Sequence, residues 1–301
     1  MVDVNLMVSL LEAIPSGARL ILVGDSYQLP SVGPGNVLKD LINSGKITTM
    51  ELTQIKRQAA GLIIRNCHRI KDGQDITVEN STSEDFFILK RELEIDIQDT
   101  IIELFKRLEG KGYRSPHDIQ ILTPFRERGE LSCQRFNDLC QDRLNKNPAT
   151  HGLLFAVGDK IIQTRNNYDF EVFNGDIGYV MGISSARKVK VLFDTPERLV
   201  EVPPGELQLA YAITIHKSQG SEWPVVILPI HKSFGGFIVN RNLLYTAISR
   251  AKKVCIIVGH RDELKSIIKR NQVQKRYTNL ERLLREVVIS SSTDVKVCMA
   301  S

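Results

Sequence analysis

The chain has 301 residues, of which 42% are apolar, 25% charged and 6% aromatic. That is the balance of a globular protein long enough for two domains, or for one large domain with an insertion. No apolar run approaches the roughly 18 residues of a membrane span and no secretory pattern opens the chain, so a cytoplasmic protein without membrane attachment is expected. The net charge of +5 permits nucleic acid as a partner without arguing for it, and five scattered cysteines with no C-x-x-C pair suit neither a zinc site nor a disulfide framework.

Residues 4–13, VNLMVSLLEA, have helical spacing and break at Pro15-Ser16-Gly17 before the strand LILV, 20–23. That strand runs into Gly24-Asp25, an amide follows at Gln28, and a Pro/Gly-rich turn leads to the helix VLKDLINS, 37–44, stopped by Gly45. A second unit starts near residue 50, with a helix at 62–70, a strand at 85–90, a helix at 95–108, a buried strand at 118–124 and an amphipathic helix at 130–144. Strands alternating with helices of this length imply crossover connections and a parallel sheet.

The rhythm then changes. Residues 151–207 hold short runs such as DKIIQT, KVKVLF and RLVEV, with no helix-length pattern, and predict five short strands in a small β-barrel. Asn174-Gly175 is the dipeptide that a type I′ hairpin turn favours. After Pro203-Pro204 the alternation resumes with AYAITI, VVILPI, the helix NRNLLYTAISRA, the strand KVCIIVG and a final helix, which makes the barrel an insertion. Eight basic side chains against four acidic ones between Arg261 and Glu286 read as a solvated helix face, and SSSTDVKVCMAS as a loosely attached end.

Four stretches carry candidate chemistry. In Gly24-Asp25-Ser26-Tyr27-Gln28 an amide stands where doubly wound sheets bind ligands, and such an amide can orient water at a terminal phosphate; a plain strand exit reads the same way. In LTQIKRQ, Arg57 is either a surface arginine or a guanidinium entering a phosphate site from a neighbouring unit. TIHKSQGSEW, 214–223, crowds hydroxyls, an imidazole, an ammonium, an amide and a carboxylate between two core strands, which suits a ligand groove better than a buried loop. In NLLYTAISRAKK, Thr246 and Arg250 share a helix face, and Arg250 taken alone caps the helix dipole. No G-x-x-x-x-G-K-[ST] phosphate loop and no strand ending in Asp-Glu occurs in the 301 residues.

In this order, GDSYQLPSVGPGNVL, LTQIKRQ, ILTPFRERGELSCQRFNDLC, YAITIHKSQGSEW and LLYTAISRAKK resemble the second half of the motif series of superfamily-1 helicases, and more narrowly the RecD-like branch, over about residues 1–260. VFNGDIG resembles the SH3-like insertion of that branch. The resemblance implies an α/β fold with a RecA-like parallel sheet, flanking helices and a small SH3-like β-barrel insertion. Residues 1–50 would be the end of a first RecA-like motor domain, 51–150 and 208–301 the second, and 151–207 the barrel. The implied activity is an ATP-dependent DNA helicase moving 5′ to 3′ on single-stranded DNA. The phosphate loop and the magnesium-binding Asp-Glu strand would lie upstream, so ATP and Mg2+ belong to the intact protein and this segment alone would hold neither and be inactive.

The family's roles then fall on matching positions. Gln28 would sense the terminal phosphate with Asp25 supporting its loop, and Arg57 and Arg250 would reach that phosphate across the cleft, the three side chains forming the catalytic set. Gly220 and Glu222 would lie near the nucleotide, while His216, Ser218, Thr123 and Pro124 would face the DNA. Two positions depart from the pattern: Lys56 stands where an aromatic is common, and FRERGEL keeps one glycine, Gly129, where two are usual. A non-catalytic α/β module with an SH3-like barrel that binds DNA or protein is the alternative from another class.

Overall fold

The computed structural model describes residues 2–52, 61–78, 85–147, 154–236, 238–271 and 276–286, together with the backbone of 296–300. The first unit holds helix α1 (Val4–Ala13), strand β1 (Ile21–Gly24), helix α2 (Val37–Ser44) and strand β2 (Thr48–Leu52). Asp3 starts α1 by accepting the Leu6 N–H, and Gly45 ends α2 in the left-handed conformation at φ 67°. The strand set off from LILV is shifted by one residue, so that it includes Gly24.

The second unit continues with α3 (Leu62–Lys71), β3 (Phe86–Lys90), α4 (Glu94–Glu109), β4 (Ile119–Thr123) and α5 (Cys133–Leu144). Helix α4 buries Ile97, Ile101, Leu104, Phe105 and Leu108, a 3.6-residue stripe, with acids in its first turn and bases in its last. Beyond the barrel come β10 (Ala212–Thr214), β11 (Trp223–Ile230), α6 (Arg241–Ile248), β12 (Ala251–Gly259), α7 (Arg261–Lys269) and α8 (Leu280–Glu286). The expected single final helix is therefore two. The five strands form one parallel sheet in the order β10-β4-β11-β12-β3. Helices cover both faces, and β4 is buried along its whole length, as a parallel strand between two helical layers must be. This is the expected parallel sheet with flanking helices.

Between α5 and β10 lie β5 (Lys160–Gln163), β6 (Ile177–Ile183), β7 (Val189–Asp194), β8 (Glu197–Val202) and β9 (Leu207–Leu209), antiparallel in the order β8-β7-β6-β5-β9. They enclose a separate core of Phe155, Ile161, Val180, Val191, Phe193 and Val202 among others. The last strand runs to Leu209, past the expected end at 207. Asn174-Gly175 is not a two-residue hairpin turn. It closes a longer excursion from β5 to β6, pinned by the Asn167–Val172 bridge, and only Gly175 of the pair has positive φ, at 105°. A type I′ turn needs both residues there.

The base of this sheet is fastened by Lys160. Its ammonium is fully buried and donates to Pro116 O at 3.1 Å and Ile119 O at 2.9 Å, below β4. Burial depresses its pKa to about 7, against the pull of Asp194 and Asp118.

The tail is not loose along its whole length: strand β13 (Lys296–Ala300) pairs in parallel between β1 and β2, completing a three-stranded sheet in the first unit. Among the described residues, no helix is long and apolar enough to cross a membrane.

Candidate active site

Strand β1 ends at Gly24, and the chain turns over the carboxyl edge of the first sheet, facing α6 and the loop after β10. Asp25 is the hub of this turn. One carboxylate oxygen accepts the Tyr27 N–H at 2.9 Å; the other accepts the Gln28 amide at 3.2 Å and the Tyr245 hydroxyl at 2.9 Å. Burial, then the Asp25 charge, pushes the Tyr245 phenol far above its ordinary pKa, so it stays a neutral donor. Tyr245 lies on α6, whose start is fixed by the Asn240 side chain accepting the Leu243 N–H at 3.0 Å.

Three more bonds cross the same gap. Leu29 N–H donates to Thr246 Oγ1 at 3.0 Å, Gln219 donates its amide to Leu29 O at 2.8 Å, and Asn242 donates to Tyr27 O at 2.8 Å. The Tyr27 ring meets Tyr245 edge-on at 6.5 Å and lies under the Lys71 ammonium at 4.2 Å. The loop between β1 and α2 is thus docked onto the second unit by backbone and side chain together.

Beside these contacts lies a cavity of about 520 Å³, lined by Asp25, Ser26, Gln28, Gln219, Gly220 and Asn242 among others. Gly220 holds φ at +88°, a conformation that a side chain would disfavour, and this lets the loop backbone face the cavity. Gln219 Oε1 is buried with no partner among the described residues, an acceptor free for a donor on a ligand.

Asp25, Gln28 and Gly220 are therefore brought together. Arg250 and Glu222 do not line this cavity. The Arg250 side chain is 6% exposed and donates to Thr246 O at 3.2 Å, Ser221 O at 3.3 Å and Ser249 Oγ at 2.9 Å. Burial lowers its pKa, while the charges of Glu222 and Asp25 oppose that shift, which places the guanidinium in the field of both carboxylates. Glu222 lies 3.7 Å from Lys252 and lines a different cavity of about 350 Å³ with Arg114, His117 and Asp194. Arg57 lies outside the described residues.

The DNA-facing candidates divide as well. Thr123 is fully buried and donates its hydroxyl to Leu131 O at 2.5 Å; Ser218 is fully buried and donates to Ile215 O at 2.8 Å; Pro124 is buried beside them. Their polar atoms shape the two loops from within. His216 is exposed on the rim.

Sequence reasoning passed over its neighbour Lys217, although the ammonium in TIHKSQG was visible. Lys217 and Arg126 line a cleft of about 490 Å³ between α5 and the small β-domain, together with Gln134 and Thr214. Burial and then Arg126 lower the Lys217 pKa. Glu127 and Asp138 line the same cleft, and Arg126 pairs with Glu127 at 3.3 Å, so the cations share it with two carboxylates.

Comparison with known proteins gives three matches in chain order. Residues 1–89 match the model of an AAA domain, 136–193 that of the SH3 domain of ATP-dependent RecD-like DNA helicases, and 209–258 that of the UvrD-like helicase C-terminal domain. The chain is 35% identical to the ATP-dependent RecD2 DNA helicase of Deinococcus radiodurans over 92% of its own length and 38% of that protein's. It is 29% identical to the RecBCD enzyme subunit RecD of Mycobacterium tuberculosis over 91% of this chain and 50% of that one. The Pif1 helicase from Bacteroides, solved with ADP-AlF3 and single-stranded DNA, superposes with a TM-score of 0.40 at 20% identity, covering 80% of this chain and 62% of that chain.

The three models in this order, and the two relatives, make the chain similar to a segment of superfamily-1 helicases, and within that class to the RecD-like helicases. It spans 38% to 50% of the length of the two curated relatives.

Proposed function

We propose that the chain is the C-terminal motor portion of an ATP-dependent DNA helicase that moves 5′ to 3′ along single-stranded DNA. The observation that supports this best is the Asp25 carboxylate, which holds the Gln28 amide and the Tyr245 hydroxyl at once. Through it, whatever Gln28 meets in the cavity is felt directly by α6. A coupling of that kind is what a motor needs between its nucleotide site and the unit that grips its track.

In this reading residues 1–50 close the first motor domain, with strand β13 (Lys296–Ala300) added to its sheet, 51–150 and 208–286 form the second, and 151–207 are the SH3-like barrel. The terminal phosphate of ATP enters beside Gln28, whose amide orients the attacking water, as glutamine does in GTPases. Gly220 and Gln219 line the nucleotide, with the unpaired Gln219 Oε1 accepting from it. Arg57 and Arg250 bring positive charge to the phosphate, Arg250 by turning from its carbonyl partners, while Glu222 remains its counter-charge. ATP and its Mg2+ would be bound by the intact protein. The DNA would pass His216 and the loops shaped by Thr123, Pro124 and Ser218, its phosphates seated on Lys217 and Arg126. Contacts of that kind hold a strand without reading its bases.

The test is unwinding by the intact protein with ATP on partial duplexes carrying a single-stranded tail at one end. The reading expects separation of 5′-tailed duplexes and little or none of 3′-tailed ones. Equal action on both, or none on either with DNA bound, would contradict it.

A further inference from the structure

The loop that carries Gln28 is held on two sides, and only one of them belongs to the cleft. On the far side, the chain beyond α7 returns to the first unit. Arg276 donates from Nη1 to Gly33 O and Gly35 O, both at 2.7 Å, and from Nη2 to Ser31 O at 2.7 Å. Three carbonyls of one short loop converge on one guanidinium. Carbonyl dipoles aimed at a common point repel one another unless a cation occupies it, and the planar fork of arginine fits such a cluster where a single ammonium cannot.

Helix α8 follows four residues later and lies on α2. Arg285 donates to Asn43 O at 2.8 Å and Asn43 donates to Glu281 at 3.5 Å, beside the buried Asp40 carboxyl, 5% exposed. Burial raises the Asp40 pKa. Every one of these bonds joins the end of the second unit to the first.

We propose that residues 276–286 form a strap across the two units, and that Arg276 is a positioning residue which keeps the loop of Gln28 seated in the cleft. This rests on the proposed role of Gln28 only for its effect on turnover; the seating itself is a property of the fold. The strap grips 31–35 while α6 grips 27–29. Between them Gln28 has no freedom to leave the cavity wall. Loss of the grip at 31–35 would let the whole turn lift away from Thr246.

The Leu29 amide reports this directly, because its acceptor, Thr246 Oγ1, lies across the gap. In Arg276→Ala, hydrogen exchange at Leu29 should speed up by about tenfold or more, with the core amide of Ile121 unchanged, since loss of a charged triple contact opens a local unit without touching the core. Arg276→Lys should fall between the two. Arg282→Ala, which removes only the ion pair with Glu286 on the same helix, should behave as wild type. Leu29 exchange within about twofold of wild type in Arg276→Ala would overturn the strap, whatever turnover does. In the intact protein the same variant should lower DNA-stimulated kcat for ATP by about tenfold with KM little changed, because Gln28 acts on the reacting phosphate rather than on binding. Faster Leu29 exchange with kcat unchanged would leave the strap standing and remove Gln28 from the chemistry.

Discussion

The molecule contains two parallel sheets, built from similar sequence and buried very differently. In the second unit β4, β11 and β12 are sealed between helices, with Ile119, Val225, Ile227 and Cys255 at 0% exposure. In the first, Ile21 is 55% exposed, Val23 69% and Met50 60%. One sheet is held by its own core. The other is placed mainly by contacts at its loops, at Asp25 and Leu29 in the cleft and at Arg276 on the far side. The contrast separates a sheet sealed by its own core from one whose faces stay open in these 301 residues; in the proposed reading, residues 1–50 are the end of a larger motor domain, whose remainder would cover those faces.

The comparison breaks most directly in the cores. Phe105→Ala should cost about 3–5 kcal/mol of unfolding free energy in urea, while Val23→Ala should stay within about 0.5 kcal/mol. Similar costs for the two would erase the distinction between the sheets.

Next in size is Tyr245→Phe, which strips a donor from the Asp25 carboxylate. A hydrogen bond to a charged group contributes about 1.5–3 kcal/mol, so the loss should appear in denaturation and as weaker protection of the Tyr27 amide. An unaltered Tyr27 amide would mean that the hub is not Asp25.

Smaller, and specific to pH, is Lys160. Its pKa is about 7 in the folded chain against an ordinary 10.5, so between those values the unfolded chain binds the extra proton. Wild type should therefore gain stability relative to Lys160→Met as pH rises from 7 towards 10, by up to about 1.4 kcal/mol per unit. Melting curves of the two proteins at several pH values would show it, and a constant difference would mean that burial does not depress the Lys160 pKa.

Most of the fold was legible because periodicity is local. The stripe of α4, the largely apolar β4 and the alternation of β7 can each be read from neighbouring residues. The cleft could be read only in part. The Gly24–Gln28 stretch and the polar loop at 214–223 declared themselves by composition, but the bond between Asp25 and Tyr245 joins residues 220 positions apart, and no local pattern encodes it. Hydroxyls at Thr123 and Ser218 looked available because a sequence shows that a hydroxyl exists and not which way it points. Lys160 lies in a short strand, and nothing local reveals the Pro116 and Ile119 carbonyls waiting for it. Arg276 was one base among eight in a basic stretch, and only the fold brings three carbonyls to it.

The account turns on Gln28, held by Asp25 at the cavity wall and coupled through it to α6. The most direct test is DNA-stimulated ATP hydrolysis by the intact protein carrying Gln28→Ala, with single-stranded DNA binding measured alongside. Preorganised groups at a reacting centre are each worth about 10²–10³ in rate, so turnover should fall by about a hundredfold or more while DNA affinity stays within about twofold. Turnover within about threefold of wild type would contradict the account, and would leave the docked loop as a structural joint between two units.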